Sequence, residues 1–225
     1  MTDRSVPAEP AAPPDLRVVH HDAWCLIVDK PSGLLCVPGR GQDKQDCLAR
    51  RIQTHFPPAL IVHRLDMATS GLCLMALGPA MQRALGIAFA QRQVRKRYVA
   101  VVAGHIAPPD TADGWGVIDL PLAADWPNRP RQVVDHERGK PSVTRWCLLG
   151  HEGGASRIEL EPLTGRTHQL RVHLQALGHP ILGDTLYAPP AARDAAPRLL
   201  LHACELGFAH PGTAQAITVR SDAPF

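Results

Sequence analysis

Six consecutive apolar residues, Leu72-Cys73-Leu74-Met75-Ala76-Leu77, follow directly on the turn Thr69-Ser70-Gly71. An unbroken apolar run behind a turn reads as a buried strand. Other segments read as its partners. Trp24-Cys25-Leu26-Ile27-Val28 is a strand closed by the turn Lys30-Pro31-Ser32-Gly33. Tyr98-Val99-Ala100-Val101-Val102 is another. Arg157-Ile158-Glu159-Leu160-Glu161 alternates charged and apolar residues, as a strand with one wet face does. Late strands are expected near Leu199-Leu200-Leu201 and Ala216-Ile217-Thr218-Val219. Helices are fewer: residues 44–55, then Pro79 to Gln91 with an apolar stripe of Met81, Leu85, Ala88 and Phe89, then Arg166 to Leu177 stopped by Gly178. Strands dominate and no repeat interrupts them. The reading is a single α+β domain over residues 16–225, a mixed, mostly antiparallel sheet flanked by helices and loops.

Residues 1–15 hold Pro7, Pro10, Pro13 and Pro14 among alanines and acidic residues, the composition of a disordered tail. The whole chain, 45% hydrophobic and 20% charged, has the balance of a globular soluble protein. The first twenty residues lack the apolar segment of a signal peptide, and no apolar stretch is long enough to span a bilayer. Six scattered cysteines without a C-x-x-C pair point to reduced thiols and a cytoplasmic protein. Formal charge is only +3, which permits an anionic partner without demanding one.

Ahead of the buried strand stands His63-Arg64-Leu65-Asp66. A carboxylate on a loop at the mouth of a strand, with cations beside it, fits a catalytic acid kept ionised by its neighbours, and equally a solvated turn. Arg166 sits in the first turn of an expected helix, where the macrodipole disfavours a cation. Either solvent screens it or it meets an anion, and Asp66 is the natural candidate. Tyr98 follows the basic run Arg92-Gln93-Val94-Arg95-Lys96-Arg97 and reads as a tyrosine at the core edge or as a ring for stacking one base beside phosphates. Arg129 and Arg131, with Arg50, Arg51, Arg138 and Lys140, extend a path for a nucleic-acid backbone. Twelve histidines raise the question of a metal. His168 and His173, however, stand about 140° apart on a helix and share no face, so no catalytic metal is expected. No glycine-rich phosphate loop, G-x-S-x-G elbow or dinucleotide fingerprint is present.

Taken together, HRLDMATSG at 63–71, Lys96-Arg97-Tyr98, TGRTHQLRVHL at 164–174, Gly178-His179-Pro180-Ile181-Leu182-Gly183-Asp184 and the late Leu201-His202-Ala203 resemble the RluA-type RNA pseudouridine synthases. Lys30-Pro31-Ser32-Gly33-Leu34 belongs to the same likeness, which covers residues 16 to 225. No S4-like RNA-binding domain precedes the matched region, as in the short branch of that family, whose substrates are tRNA and 23S ribosomal RNA. The resemblance implies an isomerase without cofactor or metal. It breaks the N1–C1′ bond of a flipped-out uridine, turns the uracil and joins C5 to C1′. It implies that Asp66 is the essential carboxylate, acting as nucleophile or as base, that Tyr98 packs on the target base, and that Arg64 helps hold the flipped-out state. His63, Arg64, Arg95, Lys96, Arg97, Arg129 and Arg131 are the expected RNA contacts, with Asp66, Tyr98 and Arg166 the catalytic set. The expected partners are tRNA or 23S rRNA, bound by a cytoplasmic monomer. Two rivals stand beside this reading: an RNA-binding module without activity, and a carboxylate-dependent hydrolase, which would need a second acid that the sequence does not offer beside Asp66.

Overall fold

The computed structural model describes residues 15–225. Of the tail expected over residues 1–15, all but Asp15 lies outside the described residues. The chain runs β1 (Arg17–His21), β2 (Cys25–Lys30), α1 (Leu48–Gln53), β3 (Ala59–Ile61), β4 (Ser70–Leu77), α2 (Pro79–Ala90) and β5 (Arg95–Ala103). It continues through β6 (Gly116–Asp119), β7 (Leu122–Ala124), β8 (Gln132–Val134), β9 (Val143–Glu152), β10 (Ala155–Pro162), α3 (Gln169–Ala176), α4 (Pro190–Asp194), β11 (Leu201–Ala209) and β12 (Ala216–Arg220).

Ten strands form one sheet in the order β1-β2-β4-β11-β5-β10-β9-β6, with β3 added to β4 and β12 to β11. Strands β7 and β8 make a separate hairpin. Every pair in the large sheet is antiparallel except β4 with β11, which run parallel through Ser70 opposite His202 and Gly71 opposite Ala203. That pair joins two halves of the sheet, and the candidate site sits at its end.

The apolar run of β4 is buried on both faces because a helix covers each. Cys73 and Met75 face a core that includes Leu48 and Ile52 of α1, while Leu72, Leu74 and Ala76 face one that includes Leu85 of α2. The same alternation divides β2 into Leu26 and Val28 on the α1 side, Cys25 and Ile27 on the other. A further core lies under α3 and joins Leu170 and Leu174 to Ala100, Ile158 and Leu160. Tyr98 packs against both the α1 core and the α3 core, at the seam between them.

Two boundaries differ from the sequence reading. The helix expected over 44–55 shrinks to Leu48–Gln53 behind a single 3-10 turn. The helix expected from Arg166 starts only at Gln169, because His168 takes a left-handed conformation at φ 54° and breaks the first turn. Gln169 rebuilds that turn with its side chain. Its Oε1 accepts from the Thr164 hydroxyl at 2.7 Å and the Arg166 N–H at 3.0 Å, and its Nε2 donates to the Val143 carbonyl at 3.0 Å.

Candidate active site

Asp66 stands on the loop between β3 and β4, with its side chain 26% exposed. The loop is held from beneath by the turn Lys30–Gly33. The Lys30 ammonium is fully buried and donates to the carbonyls of Pro31 at 2.9 Å, Leu34 at 2.8 Å and Met67 at 3.1 Å. Burial pushes its pKa down to about 8, even with Cys36, Cys73 and Asp66 favouring the charge. The Gly33 N–H donates to the Met67 carbonyl at 2.8 Å, and the Ser32 hydroxyl to the Ala68 carbonyl at 2.7 Å. Asp66 is thus presented by a backbone fixed on both sides, which is the condition for aiming a carboxylate.

Where the loop enters β4, Ser70 meets the late part of the chain. Its Oγ accepts from Arg198 Nη2 at 2.6 Å and lies 2.9 Å from His202 Nδ1, whose other nitrogen lies 3.3 Å from the Ser221 hydroxyl. Gly71 follows at φ 110°. A Cβ there would come within 2.3 Å of the Ala203 carbonyl oxygen, so the parallel joint requires glycine.

The cation that faces Asp66 is Arg171, not Arg166. Arg171 is 4% exposed and places Nη1 3.4 Å from Asp66 Oδ2. The rest of its guanidinium forms a fork on the buried Asp184, with Nε to Oδ2 at 2.8 Å and Nη2 to Oδ1 at 2.6 Å. Asp184 is itself fixed by the N–H groups of Leu186 and Tyr187. Burial opposes the charge of Arg171, but Asp184 and Asp66 raise its pKa above the ordinary value. Arg166 lies exposed in the turn before α3 and donates to the Pro141 carbonyl at 3.3 Å. The macrodipole argument for it fails because the helix begins three residues later than expected. Arg171 was hidden in the sequence among Leu170, Val172 and Leu174. An arginine on the buried face of a helix, with Asp184 thirteen residues on, was the available signal.

His168 Nε2 lies 3.9 Å from the same Asp66 oxygen, and its Nδ1 lies 2.6 Å from the Tyr187 hydroxyl. Burial holds its pKa below the ordinary imidazole value, although Asp66 favours protonation. The Tyr187 oxygen also accepts from the Gln132 N–H at 2.8 Å. The guanidinium carbons of Arg171 and Arg131 lie 5.0 and 5.5 Å from the Tyr187 ring centre. Tyr98 is half-buried, and burial first, then the Asp66 charge, raises its pKa. It stands at the site as a neutral phenol.

The expected RNA contacts divide. Arg64 is exposed and makes no ion pair among the described residues. Arg131 joins the site through Tyr187, and the Arg129 guanidinium carbon stands 3.4 Å over the ring centre of the 69% exposed Trp126. His63 is turned inward: its Nε2 accepts the Leu74 N–H at 3.0 Å and its ring stacks on Phe89 at 4.6 Å. Burial and Lys96 push its pKa down to about 3, so it is a neutral acceptor inside the fold rather than a phosphate ligand. Arg95 and Arg97 are also displaced from the expected path. Strand alternation puts them on the opposite face of β5 from Tyr98. There they pair with Glu205 and Glu159 at 2.6 and 2.7 Å and help line a cavity of about 360 Å³. Lys96 alone of the three shares the parity of Tyr98.

A model of the RNA pseudouridylate synthase family matches residues 25–176. The chain belongs to that family. As an RNA pseudouridine synthase it is an isomerase, and the relatives match it over nearly their whole length. It is 48% identical over 217 residues to the dual-specificity RNA pseudouridine synthase RluA of Escherichia coli (strain K12), covering 96% of this chain and 97% of that one. It is 43% identical over 217 residues to the protein of the same name from Pasteurella multocida, with the same coverage. Among solved structures, human RNA pseudouridylate synthase domain containing 1 superposes with a TM-score of 0.75 at 31% identity, covering 96% of this chain and 87% of that one. Human RNA pseudouridylate synthase domain containing 4 shares the fold, with a TM-score of 0.72 at 24% identity over 92% of this chain and 88% of that one. No helix of the described residues is long and apolar enough to cross a membrane.

Proposed function

We propose that this synthase isomerises specific uridines in hairpin loops of tRNA and of 23S ribosomal RNA in the cytoplasm, with Asp66 as the essential carboxylate. The observation that carries the reading is Asp66 itself: a partly exposed carboxylate on a braced loop, with the Arg171 guanidinium on one of its oxygens and Tyr98 nearby. The relatives named above, dual-specificity enzymes by their printed names, support two classes of RNA substrate.

The uridine must leave its stack so that C1′ and the base are reachable, at a cost of a few kcal/mol that a hairpin loop lowers. Asp66 then attacks the sugar or base as nucleophile, or removes a sugar proton. The N1–C1′ bond breaks, the uracil turns over, C5 bonds to C1′, C5 gives up its proton and N1 takes one. Arg171, held by its fork on Asp184, keeps Nη1 on Asp66 Oδ2 throughout. Tyr98 packs its neutral ring on the base and offers its oxygen as a hydrogen-bonding station for the C5 proton. Arg64, Arg131 and the Arg129–Trp126 pair lie where the RNA on either side of the extruded nucleotide meets the protein.

Tritium release from [5-³H]uridine-labelled tRNA and 23S RNA tests the proposal, with wild type and Asp66→Asn in parallel. Release by wild type on both RNAs, none by the variant, and equal RNA binding by the two are expected. Release by Asp66→Asn at the wild-type rate would remove Asp66 from the chemistry. Binding without release by wild type would instead favour a silent module. Arg129→Ala and Trp126→Ala are expected to weaken RNA binding several-fold, with the arginine variant lowering the salt dependence by about one phosphate contact.

A further inference from the structure

At the opposite ends of the two hairpins β1–β2 and β11–β12, a cluster of titratable side chains shares no residue with the Asp66 site. His20 Nε2, Asp22 Oδ2 and Cys25 Sγ all lie within 4.8 Å of one another. Asp22 Oδ2 is 2.9 Å from His20 Nε2, 3.9 Å from Cys25 Sγ and 2.9 Å from His210 Nε2. The other Asp22 oxygen is committed to the backbone, accepting the N–H groups of Trp24 at 2.7 Å and Cys25 at 2.9 Å. The turn therefore fixes the carboxylate so that Oδ2 faces the imidazole and the thiol.

We propose that His20, Asp22 and Cys25 form a binding site for a divalent transition metal of the zinc class, with His210 hydrogen-bonded to the same Asp22 oxygen.

The donor set selects the metal. Imidazole nitrogen and sulfur exclude magnesium and calcium, which take oxygen, and one ligand each of nitrogen, oxygen and sulfur suits a tetrahedral Zn²⁺. His20 and Asp22 are partly exposed, so the fourth position opens to solvent and takes water. His210 is excluded as a ligand by its own hydrogen bonds. Its Nδ1 accepts the N–H groups of Gly212 at 3.2 Å and Thr213 at 3.0 Å, which leaves its proton on Nε2 to donate to Asp22. A metal-bound carboxylate held in this way by an outer hydrogen-bond donor is a recurrent arrangement.

A thiol 3.9 Å from a carboxylate gains little as a hydrogen-bond donor, whereas as a thiolate on a metal it becomes a strong ligand. On binding, the Cys25 thiol gives its proton to solvent and the thiolate sulfur takes the metal. The site also ties the first hairpin to the last through His210. The two turns are already in close contact, since a Cβ on Gly212 would fall 2.5 Å from the Trp24 ring.

The test is a titration of the chelator-stripped full chain with Co²⁺, followed by competition with Zn²⁺. One equivalent of Co²⁺ is expected to give the near-ultraviolet thiolate charge-transfer band and the visible bands of a four-coordinate site, and Zn²⁺ to abolish both. Cys25→Ala and His20→Ala are expected to lose the bands. Cys147→Ala and Cys204→Ala should keep them, and His210→Ala should keep them with affinity 10–100-fold lower. Isomerase activity of each variant reports that it is folded. A wild type without the charge-transfer band, or a band that survives in both Cys25→Ala and His20→Ala, overturns the proposal.

Discussion

One guanidinium serves two carboxylates in this fold, and the two contacts have different worth. The Arg171 fork on Asp184 is buried on both sides, while its third nitrogen reaches the partly exposed Asp66. Arg171→Met would strand the buried Asp184 charge, and breaking such a pair from one side costs about 3–5 kcal/mol. Urea unfolding should show that loss. Arg171→Lys keeps the charge but not the fork, so it is expected to recover part of the stability while isomerisation remains at least tenfold down. Arg166→Ala should change stability by less than about 0.5 kcal/mol and leave the rate near wild type. Comparable damage from Arg166→Ala and Arg171→Met would refute the assignment. Tyr98→Phe keeps the packing between the two cores and removes the oxygen. The expected result is slower tritium release, by roughly 10²-fold, with RNA binding kept. Tyr98 should add no alkaline limb to the wild-type rate, because burial and the Asp66 charge raise its pKa; a limb near pH 8 would belong to Lys30, whose ammonium holds the Asp66 loop.

The elements that position the site were legible where burial is two-sided. Strand β4 reads directly as an apolar run because α1 and α2 cover both its faces. The basic run before Tyr98 misled because a line of cations looks like one patch, whereas a strand sends Arg95 and Arg97 one way and Lys96 the other. Nor did anything in the spacing announce the left-handed His168 that delays α3, or the reach of Arg171 to Asp66, 105 residues away. The Lys30–Gly33 turn was recognised as a turn, but its service as a floor for the Asp66 loop depends on three carbonyls that sequence does not bring together. At the parallel joint of β4 and β11, Gly71→Ala would drive a methyl into the Ala203 backbone at a φ that side chains avoid. The expected loss exceeds about 3 kcal/mol, read as a lowered melting temperature. A variant that melts with wild type would show that the joint can shift.

Across the whole molecule, buried imidazoles set the response to acid. His63, His168, His173 and His202 all have pKa values lowered first by burial. Each therefore binds a proton more readily unfolded than folded, so stability is greatest above pH 6.5 and falls as pH drops below it. A second loss follows lower down. Burial alone would raise the Asp22 pKa, but the N–H groups of Cys25 and Trp24, with His20 and His210, bring it down to about 2. The stability it adds is complete above pH 3.8 and disappears as pH falls toward 2. Urea midpoints should be level from pH 7 to 8 and decline from pH 6.5 downward; a midpoint unchanged at pH 5 would contradict the neutral imidazoles. The bracing of the Asp66 loop has one more consequence, in time. Arg171, Arg198 and His202 touch that loop from 105, 128 and 132 residues further along the chain. Contacts so distant in sequence close slowly. A ribosome that has made Asp66 has made the Lys30–Gly33 floor but not Arg171, Arg198 or His202, so a nascent chain carries its carboxylate without its cation until the last strands arrive, and the enzyme cannot complete its site before its own synthesis is nearly over.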